Sequence, residues 1–217
     1  MNSIILIAPP AGGKGTQSNM LKVEYNIPHI STGDLLRGAS NDDSEIAKQI
    51  REIFKEGKLV PDEIVLELLK QRIVKNDCDN GYILDGFPRT VPQAEAYENI
   101  LKELGKEEGY VILLETNKED AAARIANRVS CPNCGRVYNN IIDGLKPQVE
   151  NQCDDCKTAL IHRDDDNAET YEKRYDEYLL KTQPLIDFYK EKNILYTVDN
   201  NNGIDNTFSQ IKNIIGE

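Results

Sequence analysis

One stretch near the N-terminus constrains this chain more than any other. Four apolar residues, Ile4-Ile5-Leu6-Ile7, run into Ala8-Pro9-Pro10-Ala11-Gly12-Gly13-Lys14-Gly15-Thr16-Gln17. The apolar run reads as a buried strand, the small residues as a tight loop, and the polar continuation as a helix from Lys14 to Tyr25. Strand, small-residue loop and helix N-terminus in that order are the layout of a phosphate-binding loop. Small residues let backbone N–H groups curve around an anion, and the first helical turn adds partial positive charge. Lys14 is placed to reach β- and γ-phosphates, and Thr16 to hold Mg²⁺ directly or through water. The match to Gly-x₄-Gly-Lys-Ser/Thr is imperfect, because Ala8 stands at the first glycine and Gly15 separates Lys14 from Thr16. A Gly-rich turn carrying a solvated lysine is the plain alternative.

A strand feeding such a loop needs a sheet around it, and the chain supplies one. Tyr82–Phe87, with its strand character stopping at Asp85, Tyr110–Leu114 and Ile194–Val198 are near-continuous apolar runs. Helical patterns alternate with them, which implies a mostly parallel sheet covered on both faces. Ile27-Pro28-His29-Ile30 reads as a short extended linker, since the residue before proline avoids the helical region. Ser31-Thr32-Gly33-Asp34 caps a helix holding Leu35, Leu36 and Arg37. A second helix over about 44–56 carries Ile46, Ile50 and Ile53 at helical spacing and ends at Gly57. Another starts at Pro61-Asp62, and one containing Ala94, Tyr97, Ile100, Leu101 and Leu104 ends at Gly105. The helices after Ile30 have no strand between them, so they look inserted. An alanine-rich helix covers about 119–128, a long helix resumes near Asp166 with Pro184 breaking or restarting it, and a last helix carries Ile204, Phe208, Ile211 and Ile215.

The net charge of −11 argues against a general nucleic-acid or anionic-membrane binder, whose affinity would come from neutralising phosphates. Any phosphate ligand therefore needs a local cluster of cations. No signal-peptide pattern and no apolar stretch of spanning length is visible, so a soluble cytoplasmic protein is expected.

Between Val129 and His162 the helical period disappears and four cysteines appear. Cys131-Pro132-Asn133-Cys134 is followed, after eighteen residues, by Cys153-Asp154-Asp155-Cys156. Paired CxxC units at this separation form two knuckles that can close a tetrahedral thiolate site around Zn²⁺. Such a site has no open position, so its role would be structural. Two reduced or disulfide-linked pairs are the alternative. A nucleic-acid-binding zinc ribbon fits poorly, because Asp143, Glu150, Asp154 and Asp155 outnumber the nearby basic residues. Cys78 reads as an incidental thiol.

The required cations are present. Arg37 follows a helix cap, and Arg89 lies just past a strand's C-terminal end, where open α/β sheets bind ligands. Arg124 and Arg128 are four apart and are expected on one helix face. Arg163 and Arg174 bracket the start of the long helix. Arginine suits phosphate because its planar fork grips two oxygens at once.

Five motifs now stand in order along the chain: Gly12-Gly13-Lys14-Gly15-Thr16-Gln17, Ser31-Thr32-Gly33-Asp34-Leu35-Leu36-Arg37, Asp85-Gly86-Phe87-Pro88-Arg89-Thr90, Cys131-Pro132-Asn133-Cys134-Gly135-Arg136-Val137-Tyr138 and Arg163-Asp164-Asp165-Asp166. Together they resemble adenylate kinase, in the bacterial-type long form with a zinc-bearing lid, from Met1 to the last helix. The resemblance implies a three-layer α/β/α P-loop fold with a five-stranded parallel sheet and two inserted subdomains. Residues 1–30, 61–128 and 163–217 would form the core, 31–60 the nucleoside-monophosphate insert and 129–162 the zinc lid.

The implied reaction is MgATP + AMP ⇌ 2 ADP by a monomer. Lys14, Arg89, Arg128, Arg163 and Arg174 would be catalytic. ATP would meet Gly12, Gly13, Lys14, Gly15, Thr16, Arg124, Arg128, Val137 and Tyr138. AMP would meet Thr32, Arg37, Val60, Gly86, Arg89, Gln93, Arg163 and Arg174. Asp85 would hold Mg²⁺ through water, Cys131, Cys134, Cys153 and Cys156 would hold Zn²⁺, and Asp165 and Asp166 would anchor the lid. A kinase for UMP or CMP shares the loop and the arginines; Thr32, Gln93 and the long lid favour AMP. A non-enzymatic zinc-ribbon module would leave Lys14 and the arginines unexplained.

Overall fold

The structure, a computed structural model, describes residues 3–41, 43–56, 58–163 and 165–216. Gly57, expected to end a helix, and Asp164 of the aspartate run lie outside the described residues.

Strand β1 (Ile4–Ile7) is the centre of the molecule. It is flanked on one side by β3 (Ile83–Asp85) and on the other by β4 (Tyr110–Glu115), both parallel to it. β2 (His29–Ser31) pairs with β3, and β7 (Leu195–Asp199) with β4, so the five-stranded sheet has the order β2-β3-β1-β4-β7. Strand residues alternate between the two faces. Ile5 and Ile7 enter a core with Leu84, Val111, Tyr97 and Leu185. Ile4 and Leu6 enter a second core on the opposite face with Ile83, Ile112, Leu21 and Ile211. This double burial is why the strand reads as a continuous apolar run rather than an alternating one.

Helix α1 (Lys14–Tyr25) and α9 (Ile204–Ile215) cover one face. α2 (Thr32–Ala39), α3 (Glu45–Glu56), α4 (Asp62–Ile73) and α5 (Val91–Glu103) occupy the chain on either side of β3 and supply the other core, with α8 (Gln183–Glu191). α6 (Lys118–Ala126) packs against α7 (Ala168–Glu177) through Ala121, Ile125 and Tyr171. Between α6 and α7, β5 (Arg128–Ser130) and β6 (Val137–Asn139) form a separate antiparallel pair. It has its own small core of Val129, Cys131, Tyr138 and Cys153.

Three expectations need correction. The segment around His29 is not a linker: His29-Ile30-Ser31 pairs with Ile83-Leu84-Asp85 and forms the sheet edge. Arg124 and Arg128 do not share a helix face, because α6 closes at Asn127 and Arg128 opens β5. Ile46 does not join the buried stripe of α3 but is 53% exposed, while Ala47 and Ile50 are buried. At Pro184 the helix does restart. The chain first widens into a π turn over Tyr178–Thr182, and Pro184 then sits in the first turn of α8, where its missing N–H is not needed.

Candidate active site

The C-terminal ends of β1, β2 and β3 and the residues just past β7 line one cleft of about 1450 Å³. This is where an open parallel sheet presents ligand sites. The residues after β1 form its floor. Gly12 N–H donates to Pro9 O at 3.0 Å, closing a turn with Pro10 and Ala11 in the centre. Ala11 has φ 56° and Gly13 φ 80°. Gly12 cannot be replaced, because a Cβ there would stand 2.8 Å from Ala8 Cβ and 2.9 Å from Pro9 O. Ala8, which stands at the motif's first glycine, is thus accommodated by the close approach of Gly12. Beyond it, the first turn of α1 offers backbone N–H groups that no helical carbonyl can accept.

Lys14 folds back over this loop, donating to Ala8 O at 2.8 Å and to Pro9 O at 3.2 Å. Burial pulls its ammonium down to about 8, against the attraction of Asp85. Asp85 ends β3 beside it. Burial alone would raise the Asp85 carboxyl, but the His29 imidazole at 3.3 Å and Lys14 outweigh burial and hold it below its ordinary value. His29 was not singled out in the sequence. It opens the edge strand β2, and its signal was a lone polar residue set between Pro28 and Ile30.

The opposite wall carries the arginines. Arg89 donates from Nε to Gly86 O at 2.8 Å, while its backbone N–H reaches Gln93 Oε1 at 2.7 Å and Thr182 Oγ1 donates to its carbonyl at 3.0 Å. Gln93 in turn donates to Asp62 Oδ1 at 2.6 Å. Burial, then repulsion from Arg174, brings the Arg89 guanidinium down to about 10. Arg163 is also brought to about 10, by burial and by the charges of Arg37 and Arg128, and donates to Ser130 Oγ at 3.0 Å. Arg128 makes a two-pronged ion pair with Asp166, Nε–Oδ2 2.6 Å, and the Asp166 side chain is 0% exposed. Arg174 pairs with Asp165 at 2.8 Å and stands 3.8 Å from Asp166. Arg37 pairs with Asp34 at the cleft rim.

Every sequence-predicted nucleotide contact lines this one cleft: Gly12, Gly13, Lys14, Gly15 and Thr16; Thr32, Arg37 and Val60; Asp85, Gly86, Arg89 and Gln93; Arg124, Arg128, Val137 and Tyr138; Arg163 and Arg174. Thr32 serves the site by holding its wall, donating to Gly86 O at 2.9 Å. Tyr138 is 2% exposed and is engaged with the cysteines, its hydroxyl donating to Cys153 Sγ at 3.4 Å and accepting from Asp154 N at 2.7 Å. A mainly structural use of Tyr138 follows from those contacts. Cations repelling one another in a buried cleft are the electrostatic signature of a site built for a polyanion.

The four cysteines lie together, all their sulfurs within 4.8 Å of one another. Cys131 Sγ is 3.3 Å from Cys156 Sγ, and Cys134 Sγ 3.5 Å from Cys153 Sγ. The two knuckles match: Gly135 N–H donates to Cys131 O and Lys157 N–H to Cys153 O, each at 3.0 Å, with Gly135 at φ 75° and Lys157 at φ 61°. Tetrahedral Zn–S bonds near 2.3 Å place sulfurs about 3.8 Å apart, close to this spacing. The group is therefore suited to hold a metal ion.

A family description for adenylate kinase matches residues 6–194. Among full-length relatives, the adenylate kinase of Thermotoga maritima is 46% identical over 217 residues, covering 100% of this chain and 98% of that protein. That of Thermosipho africanus is 45% identical over 213 residues, covering 98% and 99%. That of Bacillus pumilus is 41% identical over 214 residues, covering 99% and 98%.

Proposed function

The chain belongs to the adenylate kinase family, and we infer that it carries out the reversible reaction MgATP + AMP ⇌ 2 ADP. The observation that carries this reading is the convergence of Lys14 with Arg37, Arg89, Arg124, Arg128, Arg163 and Arg174 on a single cleft. One phosphate chain would not require so many cations; two anionic nucleotides facing each other would.

ATP is assigned to the α1 side, with its phosphates on Gly12–Thr16 and its base toward Arg124, Val137 and Tyr138. AMP is assigned to the side of Thr32, Arg37, Val60, Gly86 and Gln93, its phosphate gripped by Arg89. Arg128, Arg163 and Arg174 would stand over the transferring group. The attacking atom is an AMP phosphate oxygen. A phosphate monoester has a second pKa of about 6, so this oxygen is already ionised at neutral pH and needs no general base. Catalysis is then positioning plus neutralisation of two mutually repelling anions. Residues 31–60 and 129–162 are read as the two segments that close over the nucleotides, excluding the water that competes for the phosphoryl group.

Mg²⁺ fits the site because Asp85 stays ionised and Thr16 adds a hydroxyl, both hard oxygen donors beside Gly15. When bound with ATP, the ion neutralises charge on the phosphate chain. Zn²⁺ fits the four thiolates and would hold a segment whose own core is only a few residues. The reading is tested by following ³¹P resonances. ATP with AMP should yield ADP, and ADP alone should yield ATP and AMP, reaching one equilibrium mixture from both sides. No interconversion in either direction would overturn it.

A further inference from the structure

The loop after β1 holds a residue in a conformation that its side chain resists. Ala11 follows Pro10 in the Pro9–Gly12 turn with φ 56°, a position that normally calls for glycine. An L-residue occupies this region only when the surroundings enforce it.

Asn200, the first residue past β7, is 6% exposed and reaches into the loop from the far end of the chain. Its Nδ2 donates to Gly12 O at 2.8 Å and to Thr116 Oγ1 at 2.8 Å. Its Oδ1 faces Thr207 Oγ1 at 3.1 Å. Gly12 O can only accept, so the amide nitrogen must face the loop. The same nitrogen packs on Gly13, where a Cβ would come within 3.3 Å of it. Asn200 is itself fixed, since its backbone N–H donates to Glu115 O at 2.9 Å. Its carbonyl accepts from Arg124 Nη2 at 3.2 Å. One residue thus ties the phosphate loop, the end of β4, α9 and Arg124 together.

We propose that Asn200 is a positioning residue for the ATP site, clamping the Ala11-Gly12-Gly13 backbone in its left-handed course and setting Arg124 beside it. The proposal rests on the assignment of ATP to this loop. Its logic is that a turn with alanine where glycine is preferred needs an external tether. Supplying the glycine should then relieve the need for the tether.

The test compares wild type, Asn200→Ala, Ala11→Gly and the double variant. Melting temperature is read first, then the Kd for ATP and for AMP by calorimetry. Loss of one buried hydrogen bond predicts about a tenfold weaker ATP Kd for Asn200→Ala. The AMP Kd should stay within about twofold. The double variant should recover most of the lost ATP affinity, because glycine takes the turn unaided. A role confined to packing β7 against α9 would not respond to a change in the loop. The proposal is overturned by a folded Asn200→Ala with unchanged ATP Kd, or by a double variant no better than the single one. If Asn200→Ala does not fold, folding restored by Ala11→Gly supports the clamp and a double variant that also fails to fold overturns it. Wild-type protein that binds ATP but forms no ADP would overturn the assigned reaction and leave this inference to be decided by the Kd comparison. Wild-type protein that binds no ATP would overturn both.

Discussion

Arg89 gives the sharpest single perturbation. Its Nε is occupied by Gly86 O, and its backbone is fixed at both ends by Gln93 and Thr182. Among the described residues its two terminal nitrogens have no protein acceptor, which leaves a two-pronged donor facing the cleft. A hydrogen bond to a charged group contributes about 1.5–3 kcal/mol, so two to the AMP phosphate contribute about 3–6 kcal/mol. At about 1.4 kcal/mol per decade, Arg89→Ala should lower kcat/KM for AMP by about 10²–10⁴. Arg89→Lys keeps the charge but loses the fork, and should recover only part of that loss. The KM for ATP should move by no more than a few-fold. The assay couples ADP formation to NADH oxidation with AMP varied at saturating ATP, beside circular dichroism to show an intact fold. An Arg89→Ala enzyme within tenfold of wild type in kcat/KM for AMP would refute the reasoning.

Removing the tetrathiolate metal with a chelator should lower the melting temperature and raise hydrogen exchange in 129–162 while leaving β1 and β4 protected; a metal-free preparation whose stability does not change on chelation would contradict it. Asp166→Ala should destabilise by about 3–5 kcal/mol, because it strands the buried Arg128 without its partner, and urea unfolding measures this directly. Burial raises the Glu108 carboxyl above its ordinary value, with Lys192 at 3.7 Å opposing incompletely. Its charged form therefore costs stability at neutral pH, and that cost vanishes as falling pH protonates it. Glu108→Gln should melt higher than wild type at pH 7, with the gain disappearing near pH 4.

The sequence was most readable where local chemistry and tertiary need coincide. Ile4–Ile7 is apolar on both faces because it is the central strand, and α1 begins at Lys14 because Pro9 and Pro10 cannot continue the strand and Gly13, at φ 80°, turns the chain into the helix. β2 was missed because only three residues pair, and their partners lie more than fifty residues onward at Ile83–Asp85. Asn127 ended α6 one residue before Arg128, and nothing in the alanine-rich run distinguished that boundary. Ile46 looked like a core position by spacing, yet α3 turns Ala47 and Ile50 inward instead. The arginines were identifiable as one cationic set, and they do line one cleft, but their restraints were not legible. Asp166 on Arg128, Thr182 on Arg89 and Asn200 on Gly12 are long-range contacts that spacing along the chain does not encode. The run Asp199-Asn200-Asn201-Asn202 just past the last strand was the available signal, since strand ends at that edge face the ligand.

The most direct test of the account is kcat/KM for AMP, UMP, CMP and GMP with ATP as donor, measured on the 217-residue protein. The arrangement of Thr32, Gln93 and Arg89 predicts rapid turnover of AMP and kcat/KM values at least a hundredfold lower for the other three. Preference for a pyrimidine monophosphate, or no phosphoryl transfer to any of the four, would contradict it.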